Sequence, residues 1–229
     1  MRKLLISTLV LSAVASTSLA ILPEKVVLAE QTKELSLLVR AYRNLFNKKE
    51  PPIEPRNGGS RPISSVCMIS PNVPRVHIKV WSDRPLFIWQ GYASTITVRH
   101  PGSNIDLWIQ PAANTQNITY TGEPLQPGQV YKWVVNGRQF VPFQVMDKEE
   151  RDRISSELQN IEKQLQSTGA NTEVIALTKA NYFAENNLWS DVLQQVYSVP
   201  EPSDELLAFR EDILQKLCNP AIANSRTNN

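Results

Sequence analysis

The stretch Gln129–Val145, QVYKWVVNGRQFVPFQV, decides the fold because it has the pattern of a β-hairpin. Its Asn136-Gly137 dipeptide lies between two runs rich in Val, Phe, Tyr and Trp. This dipeptide favours a two-residue type I′ turn, in which both central residues have positive φ. Such a turn pairs Val135 with Arg138 and fixes the register of the two strands.

This register divides the apolar side chains of the hairpin between two faces, which predicts a hairpin covered on both sides, by a second sheet and by C-terminal helices. Pro142 has no N–H group, so a bulge or the end of the ladder is expected there. One face is predicted to hold Tyr131, Trp133, Phe140 and Pro142, and the other to hold Val130, Lys132, Val134, Val141 and Phe143.

Before the hairpin the chain consists of short β-like runs separated by turn-forming residues. Apolar and polar positions alternate within several runs, and Ile105, Leu107 and Ile109 share one face of theirs. Runs of this length and spacing favour an antiparallel, immunoglobulin-like β-sandwich over residues 63–146, with a barrel as the alternative. The predicted strands are Ser64–Ser70, Arg75–Trp81, Leu86–Gln90, Ser94–Arg99, Asn104–Gln110 and Asn117–Thr121, followed by the hairpin strands.

From Asp147 the apolar period becomes helical, which predicts a helical region over residues 147–218, packed on the sandwich or following it. Asp147 is a candidate N-cap of the first helix, and Gly169 ends that helix. Further helices are expected from about Thr172 to Glu185, from about Trp189 to Tyr197, and over Asp204–Leu217 with Ser203 as its cap. Residues 219–229 are predicted to be a disordered tail. The fold class is therefore α+β.

The N-terminus has the three parts of an export signal. A basic Arg2-Lys3 pair precedes an apolar run over Leu4–Ala15, and cleavage sites follow at Ala20 and Ala29. The apolar run is shorter than the roughly 20 residues of a membrane span. Residues 1–29 are therefore a predicted signal peptide, with an uncleaved anchor as the alternative. The processed protein is expected to be periplasmic or extracellular and not integral to a membrane.

Residues 30–62 are predicted to be a flexible N-terminal linker with a short helix at Thr32–Phe46. Its second part, Asn47–Pro62, is rich in Pro, Gly and charged residues.

The chain has two cysteines, Cys67 and Cys218. A lone pair in an oxidising compartment often forms a disulfide. Such a bond would tie the start of the β domain to the last helix, and two buried thiols are the alternative. The cysteines have no metal-ligand spacing with His77 or His100, so no metal site is predicted.

The segment Ala180–Leu193, ANYFAENNLWSDVL, resembles a motif of a family of exported cyanobacterial proteins with a domain of unknown function numbered 928. That motif reads aromatic-Ala-Glu-Asn-Gly-hydrophobic-Trp-x-Asp-Ala-Leu. The order of features over Asn57–Cys218 is also similar, with a Gly/Arg-rich linker, a cysteine, a Tyr-x-Trp strand and a helical end. Asn187 and Val192 depart from the Gly and Ala of the family. The resemblance implies an envelope or secreted location and supplies no catalytic residues.

The sequence contains no recognisable catalytic constellation. His77 and His100 lie in or at the end of predicted strands, and no Gly-x-Ser-x-Gly motif accompanies them. The carboxylates of the β region lie near turns or on mixed faces, so they predict no glycosidase pair. We therefore expect a protein that is not an enzyme and has no cofactor. A net charge of +2 gives no case for nucleic-acid binding.

Aromatic residues are the best binding candidates, although core packing is their ordinary role. Trp81 shares a predicted strand face with His77 and Lys79, and Trp108 lies in a later strand. These four residues form a speculative binding set, whereas Trp189 is expected to lock two helices together. The functional hypothesis is an exported interaction module that binds a protein in the cell envelope. Envelope-glycan binding and carbohydrate hydrolysis are the alternatives.

Overall fold

A computed structural model describes residues 24–47, 66–72 and 78–218 of the chain. These ranges form an α+β protein, which confirms the predicted fold class. The helices are α1 (Glu24–Asn47), α2 (Lys148–Ser167), α3 (Thr172–Glu185), α4 (Trp189–Tyr197) and α5 (Asp204–Cys218). The strands are β1 (Cys67–Ser70), β2 (Lys79–Val80), β3 (Leu86–Gln90), β4 (Thr95–Arg99), β5 (Asp106–Pro111), β6 (Asn117–Thr119), β7 (Val130–Val135) and β8 (Gln139–Val145).

The strands form two sheets. One has the order β1-β3-β6, and the other has the order β2-β8-β7-β4-β5. Neighbouring strands are antiparallel except β2 and β8, which are parallel. The sheets share a buried core, in which the ring of Phe87 on β3 stacks on Trp133 of β7 at a centroid distance of 5.2 Å.

Strand β3 lies in the middle of the molecule and is buried on both faces. Phe87 and Trp89 point into the core between the sheets. Leu86 and Ile88 point the other way and join Ile69 of β1 in the core formed with the helices. The order of layers is therefore five-stranded sheet, three-stranded sheet, helices.

The helices thus cover the three-stranded sheet, which corrects the expectation that they cover the hairpin. The hairpin of β7 and β8 belongs to the other sheet, and Val130 and Phe140 on its outer face are exposed. The reason is that β3 has the second apolar face that the helices need, in the form of Leu86 and Ile88.

The hairpin register also differs from the prediction. Val135 pairs with Gln139 rather than with Arg138, so the loop has one more residue than expected. A shift of one residue exchanges the faces of a strand. Phe143 and Val141 therefore lie on the core side with Tyr131 and Trp133, while Phe140 and Pro142 lie on the outer side with Val130, Lys132 and Val134.

The expected interruption at Pro142 is absent, because the pairing of β7 with β8 continues through it without a register shift. The N–H groups of Gln144 and Met146 donate to β2, at 2.8 Å in both bonds. Alternation places the nitrogen of Pro142 on that same side, away from β7. The missing donor therefore removes no bond from the hairpin.

Helix α1 covers all of residues 30–47, which the sequence assigns to a flexible linker, and it contains the predicted short helix Thr32–Phe46. It begins at Glu24, within the predicted signal peptide. Its Leu38 is fully buried among the other helices. Asn181 of α3 donates from Nδ2 to the carboxylate of Glu34 at 2.8 Å. These contacts make α1 part of the helical layer. The predictions for residues 1–23, 48–65, 73–77 and 219–229 lie outside the described residues.

The predicted disulfide is confirmed. Cys67 on β1 is bonded to Cys218 at the end of α5, with 5.8 Å between their Cα atoms and a sequence separation of 151 residues. The bond fastens the helical layer to the edge of the sheet that it covers.

The helices begin and end close to the predicted residues. Ser203 caps α5 by accepting the N–H of Leu206 at 3.2 Å, and Gly169 after α2 has a φ of 77°. Asp147 occupies the N-cap position of α2 without a side-chain bond to that helix. Among helices in the described ranges, none is long and apolar enough to cross a membrane.

Candidate functional site

The outer face of the five-stranded sheet carries a row of three apolar residues and one threonine that crosses four strands. Ile109 on β5 pairs with Thr97 on β4, Thr97 pairs with Val134 on β7, and Val134 pairs with Phe140 on β8. Paired residues on adjacent strands project from the same face. We call these four side chains the apolar row.

The two ends of the apolar row are exposed and its middle is buried. Ile109 is 57% exposed and Phe140 is 59% exposed, whereas Thr97 and Val134 are buried. Leu107 beside Ile109 is exposed as well. Exposed apolar side chains that share one face of a sheet can serve as a protein-contact surface.

The charged groups near the apolar row include three basic side chains, two of which are paired with carboxylates. Lys132 lies next to it and holds its Nζ over the ring of Phe140, 5.6 Å from the centroid. Arg99 is paired with Asp106 across β4 and β5. Lys79, on the far strand of the sheet, is paired with Glu150 of α2 at 3.0 Å.

The hairpin turn is held in place by Asn136 as well as by Gly137. Both residues have positive φ, 52° and 66°, as the sequence predicts. The side chain of Asn136 also accepts the N–H of Ser94 at 2.7 Å and donates to the carbonyl of Tyr92 at 3.1 Å. It thereby fixes the hairpin tip against the loop before β4.

Trp81 lies at the joint between the β-sheets and the helices rather than on an open strand face. Its indole Nε1–H donates to the hydroxyl of Ser155 at 3.2 Å and to the carbonyl of Arg151 at 3.3 Å. Its ring lies 5.5 Å from the ring of Phe183. These contacts make Trp81 a structural link between the two layers.

Beside Trp81 there is a small cleft between α2, α3 and α4, with a volume of about 220 Å³. An ion pair between Lys179 and Glu162, 2.7 Å long, lines it. The other lining residues are Ser155, Leu158, Gln159 and Gln195. The side-chain amides and the hydroxyl that surround the Trp81 ring can form hydrogen bonds with a small polar ligand.

Asp191 of α4 connects the helices to the chain segment that contains Trp81. Its carboxylate accepts the backbone N–H of Trp81 at 2.9 Å and that of Ser82 at 3.1 Å, and the residue is 1% exposed. Burial raises the pKa of Asp191 to about 7, although the hydrogen bonds from the two backbone N–H groups favour the charged form. An ion pair between Arg151 and Asp83 lies on the same joint.

The predicted binding set is not assembled at one place in the described residues. His77 lies outside them. Lys79 makes the ion pair with α2, Trp81 packs against the helical core, and Trp108 packs against the core between the sheets. The indole Nε1–H of Trp108 donates to Thr121 at 3.1 Å. Trp81 and Trp108 therefore do not share a flat face for sugar stacking.

The described groups with acid–base chemistry are dispersed. His100 stacks on Tyr131 at a centroid distance of 5.1 Å. No group of three or more His, Cys, Asp or Glu residues that could hold a metal ion occurs in the part of the chain that the structure describes. Trp189 is buried in the helical core, where the sequence expects it.

Sequence reasoning missed the exposed Phe140 and the joint role of Asp191. Phe140 was assigned to the wrong face through the register of the hairpin. The alternation of Ile105, Leu107 and Ile109 was a usable pattern for the outer face, but the period alone does not tell which side is exposed. Asp191 is the Asp of the Trp-x-Asp motif in Ala180–Leu193, but the motif does not reveal its donors, which lie more than 100 residues earlier.

Comparison with protein-family profiles, curated proteins and solved structures finds no match to this chain.

Proposed function

We propose that this protein is an exported, non-enzymatic interaction module that binds a protein of the cell envelope through the outer face of its five-stranded sheet. The apolar row is the observation that carries this proposal. Ile109 and Phe140 together keep two large apolar side chains in water, which costs free energy unless a partner covers them.

The surface is well built for contact because its backbone is rigid. The row crosses four hydrogen-bonded strands, and the hairpin tip is held by Asn136. A rigid surface loses little conformational entropy on binding, which favours affinity.

The proposal includes an immunoglobulin-like arrangement of the two sheets. Three features support it: the strand orders, the parallel pairing of β2 with β8, and the hydroxyl of Tyr131. That hydroxyl accepts the N–H of Gln126 at 2.9 Å, in the manner of a tyrosine corner at the start of a strand.

Export and the family assignment belong to the same proposal. The signal features of residues 1–29 and the disulfide between Cys67 and Cys218 suit an oxidising compartment. The motif in Ala180–Leu193 supports the cyanobacterial family with the domain numbered 928. Asn187, where that family has Gly, has a φ of 59°, a conformation that Asn tolerates better than most residues.

Affinity capture from the native envelope after crosslinking tests the proposal. Wild-type protein is compared with the double variant Ile109→Glu/Phe140→Glu and with the control Leu207→Glu. Leu207 is a matched control because it is an apolar residue of α5 that is 47% exposed. We expect the same envelope protein with wild type and control and its loss with the double variant. Equal capture by all three would contradict the proposal.

Glycan binding remains the second candidate, and the cleft beside Trp81 favours it. Its volume of about 220 Å³ suits one sugar ring better than a larger ligand. NMR titration of the protein with single sugars and short envelope glycans tests it. Shifts confined to Gln159, Lys179 and Gln195 would support this candidate, and their absence would remove it.

A further inference from the structure

We infer that the outer face binds a protein segment whose apolar side chains are flanked by carboxylates, and not a second copy of this chain. This inference rests on the proposed function and specifies the chemistry of the partner. Three properties of the surface support this inference. They are the distance between its exposed apolar residues, the sign of the nearby charges, and the charge repulsion that would arise between two copies.

The spacing defines the apolar part of the partner. Ile109 and Phe140 occupy the outer strands of a set of four, β5-β4-β7-β8. Three strand spacings of about 4.8 Å place them about 14 Å apart. An extended segment of about four residues spans that distance, so two apolar side chains near its ends can reach both anchors.

The charges define the polar part. The outward positions of the sheet contribute Lys79, Arg99 and Lys132 as basic groups. Lys79 and Arg99 already have carboxylate partners in Glu150 and Asp106. Lys132, at the row itself, makes no ion pair with any described carboxylate and lies over the ring of Phe140. A carboxylate beside the apolar contact would pair with it.

The same charges disfavour a second copy. A two-fold dimer whose axis passes close to Lys132 would place this lysine opposite the same lysine of the other copy, with no described carboxylate paired to either. Like charges placed together at an interface oppose association. We therefore expect the protein alone to sediment as a monomer, and a dimer that Phe140→Glu dissociates would overturn the inference.

Two synthetic peptides test the charge preference directly. Both have the same core of four apolar residues, and one has two Glu at each end where the other has two Lys. The labelled full chain is titrated with each peptide and followed by NMR. We expect the Glu peptide to bind about fivefold more tightly, as one exposed ion pair is worth up to about 1 kcal/mol. Resonances of Ile109, Lys132 and Phe140 are expected to shift.

Charge exchange at Lys132 supplies the control. Lys132→Glu is expected to reverse the preference, and Lys132→Gln to abolish it, while both variants keep the apolar anchors. At about 1 M salt, where the Debye length is near 3 Å, the two peptides are expected to bind alike. Equal binding of both peptides at low salt, or binding of neither, would overturn the inference.

The peptide result is separable from the proposed function. In one outcome, Ile109→Glu/Phe140→Glu abolishes capture of the envelope protein while the peptides show no charge preference. That result would support the binding surface and contradict the preference for carboxylates. If that double variant leaves capture unchanged, the proposed function itself fails.

Discussion

The two sheets of this protein differ in what covers them. In the three-stranded sheet, β3 is buried on both sides, with Phe87 and Trp89 facing the other sheet and Leu86 and Ile88 facing the helices. The five-stranded sheet is buried on one side, and its outer face keeps Phe140 in water.

The difference follows from side-chain patterns. The first four residues of β3 are apolar without interruption, as expected for a strand buried on both faces. In β8 buried and accessible positions largely alternate, which suits a sheet that faces water on one side. The outer face also keeps large apolar residues in water, and the proposed function accounts for Ile109 and Phe140 among them.

The attachment of the helices to the three-stranded sheet should depend most on the disulfide for its stability. Replacing Cys67 and Cys218 by Ala removes a link across 151 residues. The loop-entropy treatment gives a loss of about 5 kcal/mol in unfolding free energy, as an upper value. Urea denaturation of both proteins, with and without reductant, measures it. Reductant should weaken the wild type and leave the variant unchanged; no difference between the proteins would contradict the account.

The loss of one aromatic ring should reduce the unfolding free energy far more in the core between the sheets than on the outer face of the five-stranded sheet. Phe87→Ala empties a fully buried site and is expected to cost about 3–5 kcal/mol. Phe140→Ala is expected to change the unfolding free energy by less than about 1 kcal/mol. Chemical denaturation of both variants makes the comparison, and similar costs would mean that the outer face is part of a core.

The stability of the contact between the β2–β3 loop and helix α4 should depend on pH through Asp191. Burial raises the pKa of Asp191 to about 7 in the folded protein, above the ordinary value of about 4, so the folded state holds the proton more tightly. Its contribution to stability is therefore complete below about pH 4 and is lost as the pH rises through about 7, by up to about 4 kcal/mol.

Asp191→Asn is the variant that isolates this effect, since it cannot titrate. The unfolding free energies of the wild type and of Asp191→Asn are measured at each pH from 4 to 8. The wild-type value minus the variant value should fall as the pH rises toward 7. A difference independent of pH would show that Asp191 is ionised throughout the range. Asp191→Ala should also be destabilised, because the N–H groups of Trp81 and Ser82 lose their acceptors.

The smallest effect is expected at the edge of the five-stranded sheet. Lys79 and Glu150 form an ion pair whose side chains are each more than one third exposed. Exposed pairs contribute about 0–1 kcal/mol, and less at high salt. A double-mutant cycle with Lys79→Ala and Glu150→Ala measures the coupling. A value above about 2 kcal/mol would show that this contact, too, holds the layers together.

Much of the secondary structure follows from the sequence, because helical period, caps and turn residues act locally. Helix α2 ends shortly before Gly169 and helix α4 ends shortly before Pro200, as these residues predict. The hairpin register does not follow, because it is set by distant contacts. Asn136 is bound to the loop of Tyr92 and Ser94, and Phe143 fills the core between the sheets.

The candidate site was harder to predict for the same reason. Trp81, chosen as an exposed binding residue, is turned toward the helices by bonds to Arg151 and Ser155, some 70 residues away. Phe140 was assigned to a buried face because its exposure depends on a one-residue choice of register.

Site-specific photo-crosslinking in the native envelope tests the central claim most directly. A photoreactive amino acid is placed at Phe140 on the outer face in one protein and at Leu207 on the helical layer in another; both positions are exposed. A discrete protein adduct is expected from position 140 and none from position 207. Adducts of equal yield at both positions, or an adduct at position 207 alone, would contradict it.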